Sequence, residues 1–293
     1  MFIPIQNTIF PYKKNDTFVL IFTSRQMKYK MLVLDMDDTL LNDNHKISKR
    51  NKRMLIKAQE MGVFVVLASG RPTQSMTKYA EELEMAKYGS YMISFNGAVI
   101  TNLGNNEVIF ERSLTKEEIH GLHDFSIINN VHIITYIDGK IVSETDSNYI
   151  EVEKRLTGMT HNKVSCFKSA VNQSAVKCLM LEEPSHLKDV GEKLKKARPN
   201  LMVSLSKPFF LEIVPNGVDK AKSIEILANH LNIKQEEIIA VGNAGNDLSM
   251  VEYAGLGIWV DNVSPELRHK ADVIVASNNK DGVAEVVERF LLN

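Results

Sequence analysis

Cysteine is almost missing from this sequence, since only Cys166 and Cys178 occur among 293 residues. Two cysteines exclude a disulfide framework, and neither belongs to a CxxC pair or lies beside a histidine pair, so a zinc site of the usual spacing is excluded as well. We interpret both as packing thiols. Sparse cysteine is typical of a reducing compartment, and we expect a cytoplasmic protein.

Long apolar runs and an excess of one charge are lacking too. No run approaches the roughly 18 apolar residues that a membrane-spanning helix needs. The formal net charge is −1, with 35 Lys and Arg against 36 Asp and Glu, which excludes the strongly basic surface of a general nucleic-acid binder. We therefore expect neither membrane nor nucleic acid as a partner. A local basic pocket for a small anion is compatible with these numbers, and the oligomeric state stays open.

Several nucleotide and metal motifs do not occur. The sequence contains no GxxxxGK[ST], no GxGxxG and no HExxH, which removes the standard signatures of P-loop proteins, dinucleotide enzymes and zinc proteases. Among eight histidines only His120 and His123 are closely spaced. We interpret this pair as part of a helix face.

The N-terminal segment, residues 1–26, differs from the rest of the chain. Its apolar stretch from Phe18 to Phe22 follows Lys13 and Lys14, is shorter than the core of a signal peptide, and precedes no A-x-A cleavage pattern. The first clear strand pattern begins after Met27. Two interpretations stay open, a genuine extension or a true start at Met27.

Alternating strand and helix patterns predict an α/β fold. Buried apolar runs separated by amphipathic helices imply a parallel sheet with right-handed crossovers. The predicted core strands are 30–36, 63–68, 91–95, 209–214, 237–241, 256–260 and 273–275, and the predicted core helices are 48–61, 219–230 and 283–292.

The middle of the chain behaves differently. Helical patterns at 115–129 and 184–197 mix there with strand patterns at 132–136, 140–143, 175–180 and 201–206. The sequence therefore predicts a Rossmann-like parallel-sheet core, built from residues 27–111 and 207–293, with an α+β cap domain inserted at 112–206.

The densest chemical signal is the run Asp35-Met36-Asp37-Asp38-Thr39, directly after the first core strand. Aspartate is unfavourable in strands, and three carboxylates in four positions repel one another unless cations or protons compensate them. Because Mg²⁺ prefers carboxylate oxygens and water, the run indicates a magnesium site. A solvated turn is the plain alternative.

Polar residues follow the other predicted strands as well, and the carboxyl ends of parallel strands share the edge where ligands bind. Ser69-Gly70 offers a hydroxyl and a backbone N–H, Lys220 an ammonium, and the loop 242–247 several oxygen ligands. Taken alone, each is more often an ordinary turn, a solvated lysine or a capping loop. Together they supply what phosphoryl transfer requires, charge neutralisation around the phosphate and an in-line nucleophile.

With these residues in order, the sequence resembles the haloacid dehalogenase-like hydrolases. Asp35-x-Asp37-x-Thr39-Leu40 resembles the first motif of that family, Ser69 and Lys220 its second and third, and the run from Gly242 to Met250 its fourth. The long gap between the second and third motifs, with Asn96-Gly97-Ala98 on its near side, is similar to the Cof-type branch with an inserted α/β cap. The resemblance covers nearly all of the chain after the N-terminal segment.

The resemblance implies a role for each matched residue. Asp35 would be the nucleophile that forms an aspartyl-phosphate, and Asp37 would protonate the leaving oxygen and then activate water. The implied phosphate ligands are the Met36 backbone, Ser69, Gly70, Lys220 and Asn246. The implied Mg²⁺ ligands are Asp35, the Asp37 carbonyl, Asn243 and Asp247. Arg71 and Asn96 are the weaker candidates, for substrate contact, and Asp38 is assigned to the turn.

One position departs from the family pattern. The family usually has aspartate where this chain has Asn243. An amide oxygen can still ligate Mg²⁺, but the site then carries one negative charge less. We therefore predict weaker magnesium binding than in an aspartate version.

Three functions are compatible with these features to different degrees. The first is a phosphatase for small phosphorylated metabolites, such as sugar phosphates or phosphorylated cofactors. The second is a non-catalytic or regulatory protein that binds phosphorylated metabolites on the same fold, which Asn243 favours and Asp35 and Asp37 oppose. The third is a phosphotransfer receiver domain, which the inserted domain and the position of Asp37 oppose.

Overall fold

The computed structural model of the chain describes residues 27–292, together with the backbone of two short antiparallel strands, β1 (Lys13–Lys14) and β2 (Thr17–Phe18). Apart from those two strands, the N-terminal segment predicted as an extension lies outside the described residues. No helix among residues 27–292 is both long enough and apolar enough to cross a bilayer.

Fourteen further strands and nine α-helices are described. The strands are β3 (Met31–Leu34), β4 (Phe64–Ala68), β5 (Tyr91–Ser94), β6 (Val99–Asn102), β7 (Glu107–Glu111), β8 (His132–Ile137), β9 (Lys140–Ser143), β10 (Thr160–Lys163), β11 (Cys178–Leu181), β12 (Leu201–Lys207), β13 (Phe210–Pro215), β14 (Ile238–Gly242), β15 (Leu256–Val260) and β16 (Val273–Val275). The helices are α1 (Lys49–Glu60), α2 (Thr73–Glu82), α3 (Lys116–Ile128), α4 (Asn148–Thr157), α5 (Phe167–Ala170), α6 (Pro184–Ala197), α7 (Lys220–Leu231), α8 (Leu248–Tyr253) and α9 (Gly282–Phe290).

The larger sheet forms the core, with strand order β16-β15-β14-β3-β4-β5-β6-β7. The six strands from β16 to β5 run parallel, and β6 and β7 add an antiparallel hairpin at one edge. The predicted α/β class and parallel core are confirmed. Because β3 lies between β14 and β4, the residue after β3 is placed at the middle of the sheet edge.

Both faces of the core sheet are covered by helices, which explains why its strands are continuously apolar. Leu32 and Leu34 of β3 point to the side of α1, α2 and α9, whereas Met31 and Val33 point to the side of α7 and α8. This alternation follows from the two-residue period of a strand. The two layers hold β3 rigidly, and with it the start of the following loop.

The helix starts are fixed by side-chain caps. The Ser48 hydroxyl accepts from the Asn51 N–H at 3.0 Å and begins α1. The Asp219 carboxylate accepts from the Lys222 N–H at 2.9 Å and begins α7. Such caps satisfy backbone donors that have no partner inside the helix. The second cap is the one that matters for function, because it places Lys220 at the first position of α7.

The second sheet, which with α3 to α6 we call the cap, has the order β10-β9-β8-β11-β13-β12. All its pairs are antiparallel except β10 with β9. One face packs on α3, α5 and α6. The other face carries Ile134, Tyr136 and Phe210, which pack with Phe95 and Val99 of the core. This second face therefore looks toward the carboxyl edge of the core sheet.

One predicted strand belongs to a different sheet from the one expected. The run at 209–214 was assigned to the core, but β13 pairs with β11 and β12 in the cap sheet. Its apolar pattern resembles that of a core strand because it is buried on both faces. One partner, β12, is the preceding strand and forms a hairpin with β13, whereas the other, β11, is distant in sequence. An apolar pattern records burial and does not identify either partner. The rest of the division into core and cap stays a prediction, with this strand moved.

Several elements do not appear in the sequence prediction. The hairpin of β6 and β7 and the pair of α4 and β10 were not predicted. β10 lies at a sheet edge, is largely exposed and contains no apolar residue, so it lacks the pattern on which strand prediction depends.

Candidate active site

Asp35 directly follows β3 at the carboxyl edge of the core sheet. Its N–H donates to the Val241 carbonyl at 2.9 Å, which continues the β3–β14 pairing by one residue and fixes the backbone. The carboxylate lines a cavity of about 690 Å³ between the core and the cap, and only 7% of its side-chain surface is exposed. Asp35 is therefore placed rigidly, with one narrow face toward the cavity.

Lys220 joins Asp35 to Asp247 beneath this cavity. Its ammonium lies 2.7 Å from Asp35 Oδ1 and 2.6 Å from Asp247 Oδ1, and the side chains of Lys220 and Asp247 are fully buried. Two carboxylates would repel each other strongly in such a setting, and the ammonium between them compensates one of the two charges. The first, third and fourth motifs thus meet in one buried network.

The network shifts the proton affinities of its members. Burial, with repulsion from Asp247, raises the pKa of Asp35 from 3.8 to about 7, although Lys220 opposes the shift. Burial also works to lower the pKa of Lys220, but the two carboxylates outweigh it and raise that pKa. The lysine therefore stays charged, while Asp35 holds a proton much more readily than an ordinary aspartate.

Asp247 also shapes the fourth-motif loop. Its Oδ2 accepts from the N–H groups of Asn243 at 3.0 Å and Ala244 at 3.1 Å. A side-chain carbon at Gly242 would lie 2.5 Å from Asp247 Cβ, so only glycine fits there. Both carboxylate oxygens of Asp247 are thus engaged by protein donors, and the residue holds the loop that presents Asn243.

Asp37 lies on the cavity side of the first-motif loop and is gripped by Arg71. The guanidinium donates from Nε to Oδ2 at 2.8 Å and from Nη2 to Oδ1 at 2.7 Å, a two-point pairing. Partial burial acts to raise the pKa of Asp37, but the hydrogen bonds and charge of Arg71 outweigh it and lower that pKa. His45 Nδ1 lies 3.9 Å from Asp37 Oδ1.

The second motif and the turn after β5 form one wall of the cavity. The Asn96 N–H donates to the Ser69 carbonyl at 2.9 Å, and the Ser69 hydroxyl accepts from the Arg71 N–H at 3.3 Å. Asn96 has a left-handed φ of 56°, and its buried Oδ1 has no hydrogen-bond partner. A side-chain carbon at Gly70 would lie 3.0 Å from that oxygen. An orphan acceptor held beside the cavity is typical of a ligand contact.

The structure gathers most of the predicted site residues around the cavity. Those that line it are Asp35, Asp37, Ser69, Gly70, Arg71, Asn96, Asn243 and Asn246. Met36, Lys220 and Asp247 do not line it. The Met36 side chain is buried in the core, and the other two lie behind Asp35. Direct phosphate contacts from Met36 and Lys220 therefore stay predictions.

The oxygen donors beside Asp35 fit a hard divalent cation. Asp35 supplies a carboxylate, Asp37 a backbone carbonyl, and Asn243 an amide oxygen on the same cavity. Among residues 27–292 there is no cluster of three or more His, Cys, Asp or Glu side chains suited to a metal. Such a sparse, mixed oxygen set suits Mg²⁺, which keeps several waters and is bound through one or two carboxylates and substrate phosphate. Asp247, with both oxygens engaged, fits the role of a support better than that of a ligand.

The cap contributes residues that sequence reasoning missed. Glu153, Lys177 and Glu212 line the cavity from the cap, and His45 lines it from the core. Lys177 directly precedes β11, and Glu212 lies within β13, both in otherwise apolar stretches. A lone charge in an apolar strand was the signal that could have found them, because it is costly without a purpose.

Comparison with known proteins agrees with this geometry. The family described as haloacid dehalogenase-like hydrolase matches residues 32–287. The "Putative phosphatase YxeH" of Bacillus subtilis is 31% identical over 90% of this chain and 99% of its own. A crystal structure of a haloacid dehalogenase-like hydrolase from Bacteroides thetaiotaomicron is 37% identical, covers 89% of this chain and 99% of that one, and has a TM-score of 0.86.

A third relative carries a substrate in its name. It is the 5-amino-6-(5-phospho-D-ribitylamino)uracil phosphatase YcsE of Bacillus subtilis, 26% identical over 90% of this chain and 96% of its own. The family match spans most of the chain, and the matched range contains all four motifs. The chain therefore belongs to the haloacid dehalogenase-like hydrolases and, within them, to the Cof-type phosphatases.

Proposed function

We propose that this chain is a magnesium-dependent phosphatase that hydrolyses phosphomonoesters of small metabolites, sugar phosphates or phosphorylated cofactors, through an aspartyl-phosphate on Asp35. The observation that carries the proposal is the Lys220 bridge, which holds Asp35 at the cavity while pairing it with the buried Asp247. A carboxylate that is already fixed in this way loses little further conformational freedom when it attacks phosphorus.

Asp35 has one oxygen available for attack. Lys220 occupies Oδ1, and no donor from the described residues occupies Oδ2. Attack by Oδ2 on phosphorus would form the new P–O bond and break the bond to the leaving oxygen. Water would then attack phosphorus, release inorganic phosphate and restore the carboxylate.

Asp37 supplies the proton and later removes one. It must be protonated when the leaving oxygen departs, yet Arg71 lowers its pKa in this arrangement. The two-point grip of Arg71 therefore has to loosen before the proton can be delivered, and an incoming phosphate ester is the natural competitor for that guanidinium. In the second step the Asp37 carboxylate accepts a proton from water.

The remaining cavity residues would hold the phosphoryl group. Ser69 offers a hydroxyl and Gly70 an N–H from the loop after β4, and Asn246 offers an amide from the loop after β14. Asp35, the Asp37 carbonyl and Asn243 would hold Mg²⁺, which supplies positive charge against the repulsion between nucleophile and phosphate. The cap covers this arrangement and restricts water at the reacting atoms.

The test is phosphate release from an aryl phosphate with and without Mg²⁺. We expect turnover that depends on magnesium, and a loss of at least about 1,000-fold in Asp35→Asn. Asp38→Asn is the matched control, since Asp38 has a left-handed φ of 56° that asparagine tolerates and is assigned to the turn. Turnover that survives Asp35→Asn contradicts the covalent mechanism.

One observation favours a second function. With both oxygens of Asp247 engaged by protein donors, Asn243 leaves Asp35 as the one carboxylate side chain available to magnesium, beside the Asp37 carbonyl. A non-catalytic protein that binds phosphorylated metabolites could tolerate such a site. For that function we expect no turnover of any ester in a broad metabolite panel, together with measurable binding of some of them. Magnesium-dependent turnover of any member excludes it.

A further inference from the structure

The cavity is larger than the reaction at Asp35 requires. Its volume of about 690 Å³ has room for a metabolite-sized leaving group beside the phosphate. The core wall carries the groups already assigned to chemistry. The cap wall carries a separate polar set, formed by Glu153 on α4, Lys177 before β11 and Glu212 on β13. None of these residues has a role in the proposed reaction.

Glu153 is buried and Glu212 partly buried, and each has only one carboxylate oxygen engaged. Glu153 is 5% exposed, and its Oε1 accepts from the Tyr136 hydroxyl at 2.5 Å. The Glu212 side chain is 13% exposed, and its Oε1 accepts from the Lys177 ammonium at 2.8 Å. No donor within residues 27–292 reaches the second oxygen of either residue. Neither second oxygen is completely shielded from solvent, so both are open acceptors on residues that line the cavity.

Lys177 is held in place and its charge is already matched. Its side chain is 5% exposed, and its ammonium lies 5.4 Å from the ring centre of Tyr136 and 5.8 Å from that of Phe95. Two aromatic faces and one carboxylate stabilise the cation without using all three of its N–H donors. The deep part of the cap wall thus presents two free acceptors and spare donors, with no uncompensated positive charge.

This pattern selects one kind of leaving group. A second phosphate or a carboxylate beside Glu153 and Glu212 would face two carboxylate oxygens and a lysine that is already paired. Lys207 also lines the cavity, but it is exposed at the end of β12 and offers its charge on the solvent side. A hydroxyl group fits, since it can donate to a glutamate and accept from Lys177. Adjacent hydroxyls on one carbon chain or ring would satisfy several of these groups at once.

We infer that Glu153 and Glu212 are specificity-determining residues, which accept hydrogen bonds from the hydroxyls of an uncharged, polyhydroxylated leaving group. The inference rests on the proposed phosphatase function and narrows its substrate class to monophosphates of sugars and polyols. Tyr136 and Lys177 act as positioning residues, because each fixes one oxygen of a glutamate and leaves the other for the substrate.

The test compares ester classes in conservative variants. We would measure kcat/KM for hexose, pentose and polyol monophosphates, for a hexose bisphosphate and for an aryl phosphate, in wild type, Glu153→Gln and Glu212→Gln. Glu153→Gln can keep the bond from Tyr136 while removing the charge, so it is the primary variant. Glu151→Gln is the matched control, since Glu151 lies on the same helix, pairs with Lys154 and does not line the cavity.

We expect wild type to prefer a hydroxylated monophosphate over the bisphosphate by about tenfold or more. Each variant should lower kcat/KM for that ester by roughly 10- to 100-fold, the range for a hydrogen bond to a charged group, and change the aryl ester less than about threefold. A merely structural defect would lower both esters equally. Preference for the bisphosphate in wild type, or equal losses on both esters, overturns the inference.

The result separates this inference from the proposed function. Hydrolysis of the aryl ester without any preference among leaving groups leaves the phosphatase proposal standing and overturns the inference. If no ester is turned over, the phosphatase proposal fails, and calorimetric binding of the same monophosphates to Asp35→Asn, with and without Glu153→Gln, still decides the role of Glu153. Binding that Glu153→Gln does not weaken then overturns the inference as well.

Discussion

Two buried lysines belong to the site, Lys220 behind Asp35 in the core and Lys177 on the cap wall of the cavity. Lys220 donates to two carboxylates, Asp35 and Asp247, and its side chain has no exposed surface. Lys177 donates to Glu212 alone and is otherwise stabilised by aromatic rings. The core network leaves Asp35 Oδ2 as its one free oxygen toward the cavity, whereas the cap network leaves one on each of two carboxylates.

The difference separates chemistry from selection. Nearly all partners of Lys220 are supplied by the protein, so its geometry does not depend on which substrate enters. The partners of Lys177 are incomplete, so that side of the cavity gains hydrogen bonds only from a suitable ligand. A preorganised site for the reacting phosphate and an adaptable site for the rest of the molecule are the two parts that a selective enzyme needs.

The largest expected effect comes from Lys220→Met. It leaves two buried carboxylates facing each other, so we expect the free energy of unfolding to fall by about 3–5 kcal/mol and turnover of every ester to fall at least about 1,000-fold. Urea unfolding and aryl phosphate turnover measure the two effects. Lys222→Met, at an exposed position two residues on, is the control. A loss of stability below about 1 kcal/mol would contradict the closed network.

A pH dependence follows from the raised pKa of Asp35. Between its ordinary value of 3.8 and about 7, the folded metal-free protein holds a proton that the unfolded chain has released. Stability should therefore fall as pH rises through this window. Asp35→Asn removes the carboxyl group that titrates. Its free energy of unfolding should exceed that of wild type by about 1–4 kcal/mol near pH 8 and differ little near pH 4.

Urea unfolding in the presence of a chelator, at several pH values, measures this effect. Asp38→Asn is again the control, because Asp38 is exposed and should leave the wild-type slope unchanged. If the stability of wild type and Asp35→Asn has the same pH dependence, Asp35 does not hold a proton in the folded core. Lys220 would then compensate both carboxylates more fully than its position suggests.

Asn243→Asp tests magnesium binding on the core side of the site. It adds one negative charge to the predicted magnesium ligands, so the magnesium concentration for half-maximal activity should fall by about tenfold. Asn105→Asp, in the exposed turn between β6 and β7, is the control and should not move it. An unchanged magnesium requirement would show that Asn243 does not limit metal binding.

The smallest expected effect belongs to Lys177→Met. Glu212 loses its partner but keeps contact with cavity water, so we expect a stability loss of only about 1–2 kcal/mol. Turnover of the preferred hydroxylated ester should fall roughly tenfold, with aryl phosphate turnover nearly unchanged. Losses on the aryl ester as large as those of Lys220→Met would erase the distinction between the two lysines.

The core side of the site could be predicted because topology places it. Asp35, Ser69 and Asn243 follow parallel strands, and the ends of parallel strands meet at one edge, so short motifs were sufficient. The internal arrangement could not be predicted in the same way. That Lys220 lies behind Asp35 and bridges to Asp247 depends on how deeply α7 packs against β3 and β14, which no local pattern encodes.

The cap side was largely out of reach of the sequence. Strand β13 was placed in the wrong sheet because burial gives it the same apolar pattern as a core strand. Glu153 and Lys177 are far apart in sequence, but both contact Tyr136. Tyr136 lies on β8, which pairs antiparallel with β11, the strand that begins directly after Lys177. Antiparallel pairing between distant strands is not encoded in a short stretch of sequence. Short motifs therefore cannot predict which residues such pairing brings together.

The placement of β13 in the cap sheet has a mechanical consequence. Only four residues separate Pro215, its last residue, from Lys220 at the start of α7. Glu212 contacts the leaving group in our proposal, and Lys220 holds the nucleophile. Both therefore lie on one short segment, residues 212–220. We expect an insertion in this segment to separate substrate selection from catalysis, and an insertion in the turn between β6 and β7 to leave both unchanged. The stretch from 212 to 220 is accordingly where the chain should tolerate insertions least.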